Sequence, residues 1–495
     1  MTATDQPGHL WPRWLFLRAL GLIFFSAFYS LAFQIHGLIG ERGILPADYY
    51  LHQISSALGP VTRVWYAPTL FWLSAGDNAL TAIVAAGLIA SALLVVNVWP
   101  KLTVGLCTIL FLSCIAGLQD FSSYQSDGML LEAGFLSVFV APSGMRPGLG
   151  ATKPPSRFSM FMLQWEWFRI YFESGLGKLL SGDQHWRNLT AMDDYYQNGP
   201  LPSWMGWYVQ QLPHWYHAGT VILTLFVELF LVWALFLPRR FRIACFVVVT
   251  ALQVGIIATA NYAFLNYLVL ILGVLLLDDG ILSRFRFPLV QSVPREKTRR
   301  TEIYRRAEAG ILGVAFYSTI VAFLFGGSDS LIALPERALE PFRIANAYGL
   351  FAIMTEARYE IEFQGSRDGK AWLAYPFKYK PQDLNERPGF YAPYQPRFDW
   401  NLWFASLGPW RQSPWVMLAQ ERLLEGSPSV LKLFRGDPFG GKPPSMVRTV
   451  VWQYWFTDLD TKKKTGAWWR RQELGPFSGT VVRGADGSPV FDLSP

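Results

Sequence analysis

Apolar residues along this chain come in long runs rather than in strict alternation. Nine stretches approach the roughly 20 residues needed to cross about 30 Å of hydrocarbon: 14–39, 79–99, 102–118, 128–141, 158–180, 217–237, 243–260, 263–277 and 308–326. Seven of these carry at most one Asp, Glu, Lys or Arg each. The other two differ: 128–141 is short and carries Glu132, and 158–180 sets Glu166, Arg169, Glu173 and Lys178 among Trp, Phe, Ile and Leu. Beyond residue 326 the pattern changes. "RYEIEFQGSRDGKAWLAYPFKYK" alternates Tyr359, Ile361 and Phe363 ahead of a Ser-Arg-Asp-Gly turn and runs on to Phe377 and Tyr379, which predicts a hairpin. "MVRTVVWQYWF", 446–456, predicts a further strand, while "WNLWFASLG" and "SPWVMLAQERLLEG" predict helices between the two. The expected fold is an α-helical polytopic membrane bundle over 1–326, followed by a β-rich domain with helical insertions over 327–495.

Composition agrees: the chain is 52% hydrophobic and only 16% charged, which is greasy for a soluble protein. The first apolar run lacks a small-residue cleavage site after a short core, so a retained first span is expected rather than a cleaved signal peptide. Charge then sets topology, because Lys and Arg stay preferentially on the cytoplasmic side. With nine crossings and a cytoplasmic N-terminus, the cytoplasmic loops hold 16 Lys and Arg against 3 on the opposite side. That asymmetry needs both unusual segments counted as crossings, or neither. The linker 283–306 has eight basic residues against two Glu. It reads as a topology anchor along anionic headgroups, not as a nucleic-acid site. The last span would deliver 327–495 to the non-cytoplasmic side. Cys107, Cys114 and Cys245 fall inside predicted spans, with no CxxC and no zinc spacing.

On a helix, Glu166, Arg169 and Glu173 share one stripe about 60° wide, and Lys178 lies off it. Each charge at the bilayer centre opposes insertion by roughly 2.5–3.5 kcal/mol, while each large apolar residue returns about 0.3–0.6. The segment therefore cannot stand alone in lipid. Inside a bundle the stripe is expected to pair internally at i+3 and i+4 spacing, with Glu132 and Glu228 as further members, and Lys178 is expected to snorkel to the outer interface. A structural ion-pair cluster is the plain reading; a proton path, lipid-head site or catalytic carboxylate stays open beside it.

Motifs for chemistry are sparse. No GxSxG, Walker loop, GxGxxG or HExxH occurs, so no cofactor is implied. His185, His214 and His217 share one outer loop region, and Asp193-Asp194 reads as a solvated turn. Asn188-Leu-Thr is an N-glycosylation acceptor, relevant in a eukaryotic secretory host.

"SGLGKLLSGDQHWRNLTAMDDYYQNGPLPSWMGWYVQQLPHWYH", which follows the charged helix, resembles the lipase maturation factor family. The likeness extends to "DGMLLEAGFLSVFVAP", "FVELFL" and "ANYAFLNYLVLILGVLLLDD", and later to "NAYGLFAIMT", "GSRDGKAW", "PRFDWNLWFASLG" and "GAWWRRQ", covering roughly 120–475 in ordered blocks. The resemblance implies a multi-span protein that, in animals, sits in the endoplasmic reticulum membrane and helps secreted dimeric lipases reach their assembled form. It also implies a lumenal terminal domain that meets the client, and it brings no catalytic residues. The short N-terminus suits a bacterial inner membrane as well, and both compartments stay open. A folding factor binds clients through aromatic and Arg anchors, which makes Trp400, Trp403, Trp410 and Trp415, and Trp468, Trp469, Arg470 and Arg471, candidates; ordinary core packing is the competing reading. Arg397 and Asp399 read as a local pair or turn cap. The alternative of another class is a membrane-embedded enzyme with the architecture of vitamin K-dependent carboxylase, acting at the outer face through Glu166, Glu173 or Lys178. A transporter built on the polar stripe finds no inverted repeat in its support.

Overall fold

A computed structural model describes residues 8–122, 124–290, 299–484 and 487–492. The basic stretch 291–298 lies outside the described residues, and with it the centre of the predicted headgroup anchor. The helices that organise the molecule are α1 (Leu10–Ala32), α2 (Asp77–Val95), α3 (Pro100–Gly117), α4 (Gln125–Val140), α5 (Arg157–Leu180), α6 (His214–Leu229), α7 (Arg239–Thr259), α8 (Leu265–Gly273) and α9 (Arg299–Phe325). Consecutive members pack in pairs from α1 through α6, and α8 closes back onto α1. At the α1–α2 crossing a Cβ on Gly87 would collide with the Phe28 ring, so only glycine lets the two backbones come this close.

Among the described residues six helices are long and apolar enough to cross a membrane, or seven if the bent pair Leu265–Leu276 and Asp279–Phe285 is one span. That is fewer than the nine predicted runs, for two reasons. Run 263–277 is helical only from Leu265 to Leu276, after which the chain turns by 92°: Asp278 caps a new helix at the Ile281 N–H (2.9 Å) while pairing with Arg239 (2.7 Å). Runs 128–141 and 158–180 do form helices, but α4 has 16 residues and rises only about 24 Å, and α5 carries too many charges. Both are inside the bundle. α5 is surrounded by α4, α6, α8 and α9, so its polar stripe meets protein rather than lipid.

The C-terminal part is an antiparallel six-stranded sheet: β1 (Arg358–Ser366), β2 (Leu373–Ala374), β3 (Met446–Phe456), β4 (Trp469–Pro476), β5 (Thr480–Arg483) and β6 (Pro489–Asp492), in the order β2-β1-β3-β5-β6 with β4 also on β3. The predicted hairpin is present, and its turn is closed by the Asp368 carboxylate accepting from the Lys370 and Ala371 N–H groups (2.9 Å each). Its second strand stops at two residues, short of Phe377 and Tyr379, because Pro376 and Pro381 cannot donate to a ladder. Helices α10 (Arg397–Ala405) and α11 (Trp415–Glu425) are the predicted insertions. Ile361 and Phe363 of β1 pack against Phe398, Phe434 and their neighbours in a hydrophobic core that runs on into the bundle.

Candidate functional site

The charged stripe of α5 holds a segment from far along the chain. Residues 346–355, "NAYGLFAIMT", form an extended strap between the bundle and β1, and its backbone is taken up almost residue by residue. Glu173 accepts from the Tyr348 N–H (2.8 Å), Gln125 from Gly349 (3.1 Å), Ser174 Oγ from Leu350 (3.1 Å) and Asp183 from Met354 (2.6 Å). Arg169 donates to the Asn346 carbonyl (2.6 Å), Lys178 to that of Leu350 (2.8 Å), Trp186 Nε1 to that of Phe351 (3.0 Å) and Asn198 to that of Thr355 (2.7 Å). A half-buried strap without regular structure can pack here because side chains supply the partners its backbone would otherwise lack.

At the centre Arg169 pairs with Glu132 of α4, and both are fully buried. Glu132 also accepts from the Tyr348 hydroxyl (2.8 Å) and the Asn346 amide (3.0 Å). Gly128, one turn before Glu132, makes room: a Cβ there would lie 2.8 Å from the Asn346 side chain. Arg169 reaches Glu173 only at 4.0 Å. The expected i+4 pair is thus present at its longest reach, and the nearer partner is Glu132 on the neighbouring helix. Glu166, fully buried, has no hydrogen-bond partner on either carboxylate oxygen among the described residues.

Lys178 corrects the sequence expectation outright. It does not snorkel outward; it is buried, pairs with Glu228 of α6 (2.9 Å) and lies over the Trp186 ring at 5.1 Å. Here too a glycine sets the approach, since a Cβ on Gly175 would stand 2.8 Å from the Glu228 Cβ.

Two further buried cations tie the sheet to the bundle. Arg397 of α10 makes a bidentate pair with Asp127 of α4 (2.7 Å to each oxygen) and donates to the Phe121 carbonyl (2.9 Å). It is therefore no local pair with Asp399, which lies buried near Lys380. Arg358 of β1 donates to the carbonyls of Gln197, Gly199 and Pro200, gripping the "QNGP" loop, and pairs with Glu360. Glu360 also takes Lys380. The sheet face opposite Ile361 and Phe363 is thus a covered ionic layer.

The candidate tryptophans are mostly interior. Trp400 stacks edge-on with Tyr124, Trp403 donates to the Asn198 carbonyl (3.0 Å), Trp415 meets Phe121, and Trp468 and Trp469 pack with Trp207, Tyr454 and Phe456. Of the five residues expected as foremost client contacts, Trp400, Trp403, Trp468 and Trp469 are buried and only Arg470 is exposed. The histidines go to separate partners: His185 to Thr190 (3.0 Å), His214 to Asp193 (3.0 Å), and His217 beneath Tyr196 and Tyr216. Asn188 is exposed in a turn.

The strap is also the wall between two clefts. One, about 750 Å³, is lined by Tyr124, Tyr262, Tyr359, Trp403, Phe404 and Leu407 together with the strap. The other, about 500 Å³, lies among α5, α6, α7 and α8. Leu265, Leu350, Phe351 and Met354 line both. Phe351 adopts φ +56°, unusual for a bulky side chain, and is held there by Trp186 below and the Tyr262 ring at 4.8 Å. Sequence reasoning pointed to α5 but missed Asn346, Tyr348, Asp127 and Arg358, because each acts on a partner more than 150 residues away. The one signal was Asn346 and Tyr348 inside an otherwise apolar block.

Long apolar helices enclosing a charged interior helix define an integral, polytopic membrane protein. A family model for the lipase maturation factor transmembrane domain matches residues 11–284, and one for the lipase maturation factor C-terminal domain matches 344–479. Lipase maturation factor 1 of Mus musculus is 33% identical over 505 residues, covering 95% of this chain and 87% of the mouse protein. Lipase maturation factor 2 of Gallus gallus is 29% identical over 592 residues, covering 97% and 82%. No solved structure matches. The chain belongs to the lipase maturation factor family.

Proposed function

We propose that this protein is a membrane-bound maturation factor that assists the folding or assembly of secreted proteins, with lipases as its client class. The observation that carries the reading is the match to proteins named as lipase maturation factors over nearly the whole chain. On this reading it works by reversible binding, without a catalytic centre of its own. Residues 1–326 form the membrane part, and 327–495 stand on the extracytoplasmic side, lumenal in a eukaryotic host and periplasmic in a bacterial one.

The packing supports that orientation. Loops expected in the cytoplasm gather at one end: Arg13 donates to the carbonyls of Val140 and Lys153, Asn97 to that of Gly148, and Trp11 to that of Pro288. α4 runs from Val140 at that end to Asp127 at the other, where Arg397 of the sheet region holds it. The client contact is assigned to the mouth of the larger cleft, where Ile353, Phe404 and Leu407 are 73%, 46% and 44% exposed; apolar side chains clustered in the open mark interaction surfaces. Arg470 offers an exposed cation elsewhere on the sheet.

The direct experiment is complementation. In secretory cells lacking their own factor, this chain should restore secretion of active lipase and should be captured with the client. Phe404→Asp and Leu407→Asp should weaken capture while the protein still accumulates. Failure of the intact chain both to restore secretion and to capture the client would sink the proposal.

A further inference from the structure

The smaller cleft is not needed for client contact, and its chemistry points elsewhere. Its back is made by α5 and α8, where Tyr171, Ser174, Lys178, Asn266 and Val269 are buried. Its mouth is made by Leu223 of α6 and by Val247 and Val248 of α7, all exposed, on two helices that qualify as membrane spans. A cleft whose mouth is formed by the outer faces of spans opens onto hydrocarbon, not water. Its 500 Å³ falls within the roughly 300–1,000 Å³ of ordinary ligand pockets.

The polar groups at the back already satisfy one another. Gln253 donates to the Tyr171 hydroxyl (2.7 Å) and accepts from Asn266 (2.8 Å). Lys178 and Glu228, the two charged residues in the lining, neutralise each other at 2.9 Å. An occupant thus finds no free cation for a carboxylate or an anionic headgroup, and ample apolar wall in Ile170, Leu252, Ile256 and Val269. Toward the start of α6 the lining changes to Trp186, Tyr195, Tyr196 and Tyr216. These rings have an apolar body and a polar edge, the character of residues at headgroup level.

We infer that the cleft among α5, α6, α7 and α8 holds an acyl chain of a zwitterionic membrane phospholipid, entering sideways between Leu223 and Val248, with its headgroup beside Tyr195, Tyr196 and Tyr216. The occupant packs against the strap at Leu350, Phe351 and Met354, so the lipid lies one layer of side chains from the larger cleft. The site is independent of the client reading, because occupancy is measured with no client present.

The experiment uses the full chain in lipid nanodiscs containing phosphatidylethanolamine with a photoactivatable diazirine in one acyl chain, and maps crosslinks by mass spectrometry. Peptides carrying Leu223, Val248 and Leu252 should be labelled severalfold more than the lipid-facing Ile89 of α2. Ala251→Trp, which fills the cleft, should remove the excess, and Ile89→Trp should not. Val248→Phe serves the same purpose if Ala251→Trp does not accumulate. Equal labelling at Ile89 and the cleft would overturn the inference, as would labelling unchanged in a stable Ala251→Trp or Val248→Phe protein. A diazirine fatty acid that labels the cleft where the phospholipid does not would overturn the assignment of the occupant.

Discussion

Arg169 on α5 and Glu132 on α4 form a fully buried ion pair across two helices, and the strap completes it: the Asn346 carbonyl takes the free arm of the guanidinium, and Tyr348 and Asn346 take the second carboxylate oxygen. The pair is therefore a clamp on a segment more than 170 residues away. Its value is positional, since a buried pair is often no more stable than a well-packed apolar substitute but is damaging to break.

That gives the first expectation. Arg169→Met leaves Glu132 buried beside Glu166 and Glu173 and should lower stability by about 3–5 kcal/mol. Combining it with Glu132→Gln should recover part of the loss, because no uncompensated charge is left behind. Thermal unfolding of the purified variants in detergent measures the coupling; strictly additive losses would mean that the pair does not act as a unit.

Docking of the sheet should depend on Asp127. Asp127→Ala strands the Arg397 guanidinium, again at about 3–5 kcal/mol, and should expose the connection between α9 and β1 to protease well before the bundle unfolds. Limited proteolysis with a C-terminal tag follows this; a cleavage pattern identical to wild type would show that the sheet is held by other contacts.

Gly175 should tolerate no side chain. Gly175→Val forces α6 away from α5 at Glu228 and should destabilise by about 1–3 kcal/mol through overpacking, opening the Lys178–Glu228 pair. Gly182, where a Cβ meets nothing within 4 Å, is a control for the loss of a glycine, although its positive φ of 81° makes Gly182→Asn the milder choice.

Asp399, outside the membrane spans, should make stability depend on pH. Burial pushes its carboxyl up to about 7 from 3.8, with Lys380 and the Tyr379 N–H pulling partly the other way. The folded state thus holds this proton more tightly than the unfolded chain. The contribution is full below the unfolded value and is lost as pH rises through about 7, at a slope of up to about 1.4 kcal/mol per pH unit. Unfolding temperatures across pH 4–8 should fall less steeply for Asp399→Asn than for wild type, and parallel curves would rule the group out.

The sequence was a good guide wherever the determining interaction is local. Long apolar runs became helices, Ser-Arg-Asp-Gly became a turn closed by Asp368, and "WNLWFASLG" became α10, because backbone hydrogen bonds and near neighbours decide such elements. Family membership was also legible, through ordered blocks now matched over 11–284 and 344–479. It went astray where partners are distant. Spacing along α5 offers Arg169 only Glu166 and Glu173, so Glu132 could be named as a neighbour but Asn346 and Tyr348 could not. In β1, Glu360 and Glu362 lie on the face opposite Ile361 and Phe363, and their cover comes from further along the chain: Lys380 pairs with Glu360, and Gln382 and Arg471 reach Glu362. Tryptophans that look like anchors by composition turn out to be core.

By itself, then, the sequence determined that this chain must enter a membrane, that α5 cannot cross it unaccompanied, and that a sheet follows the bundle. Each follows from summing transfer energies or local propensities over neighbouring residues. Only the tertiary structure decided what the four charges of α5 are for. Arg169, Glu173 and Lys178 hold the strap between two clefts, while Glu166 takes no hydrogen bond among the described residues. The charges that hold the strap are tolerated beside their partners, and those partners are brought in by folding from other helices and from the strap.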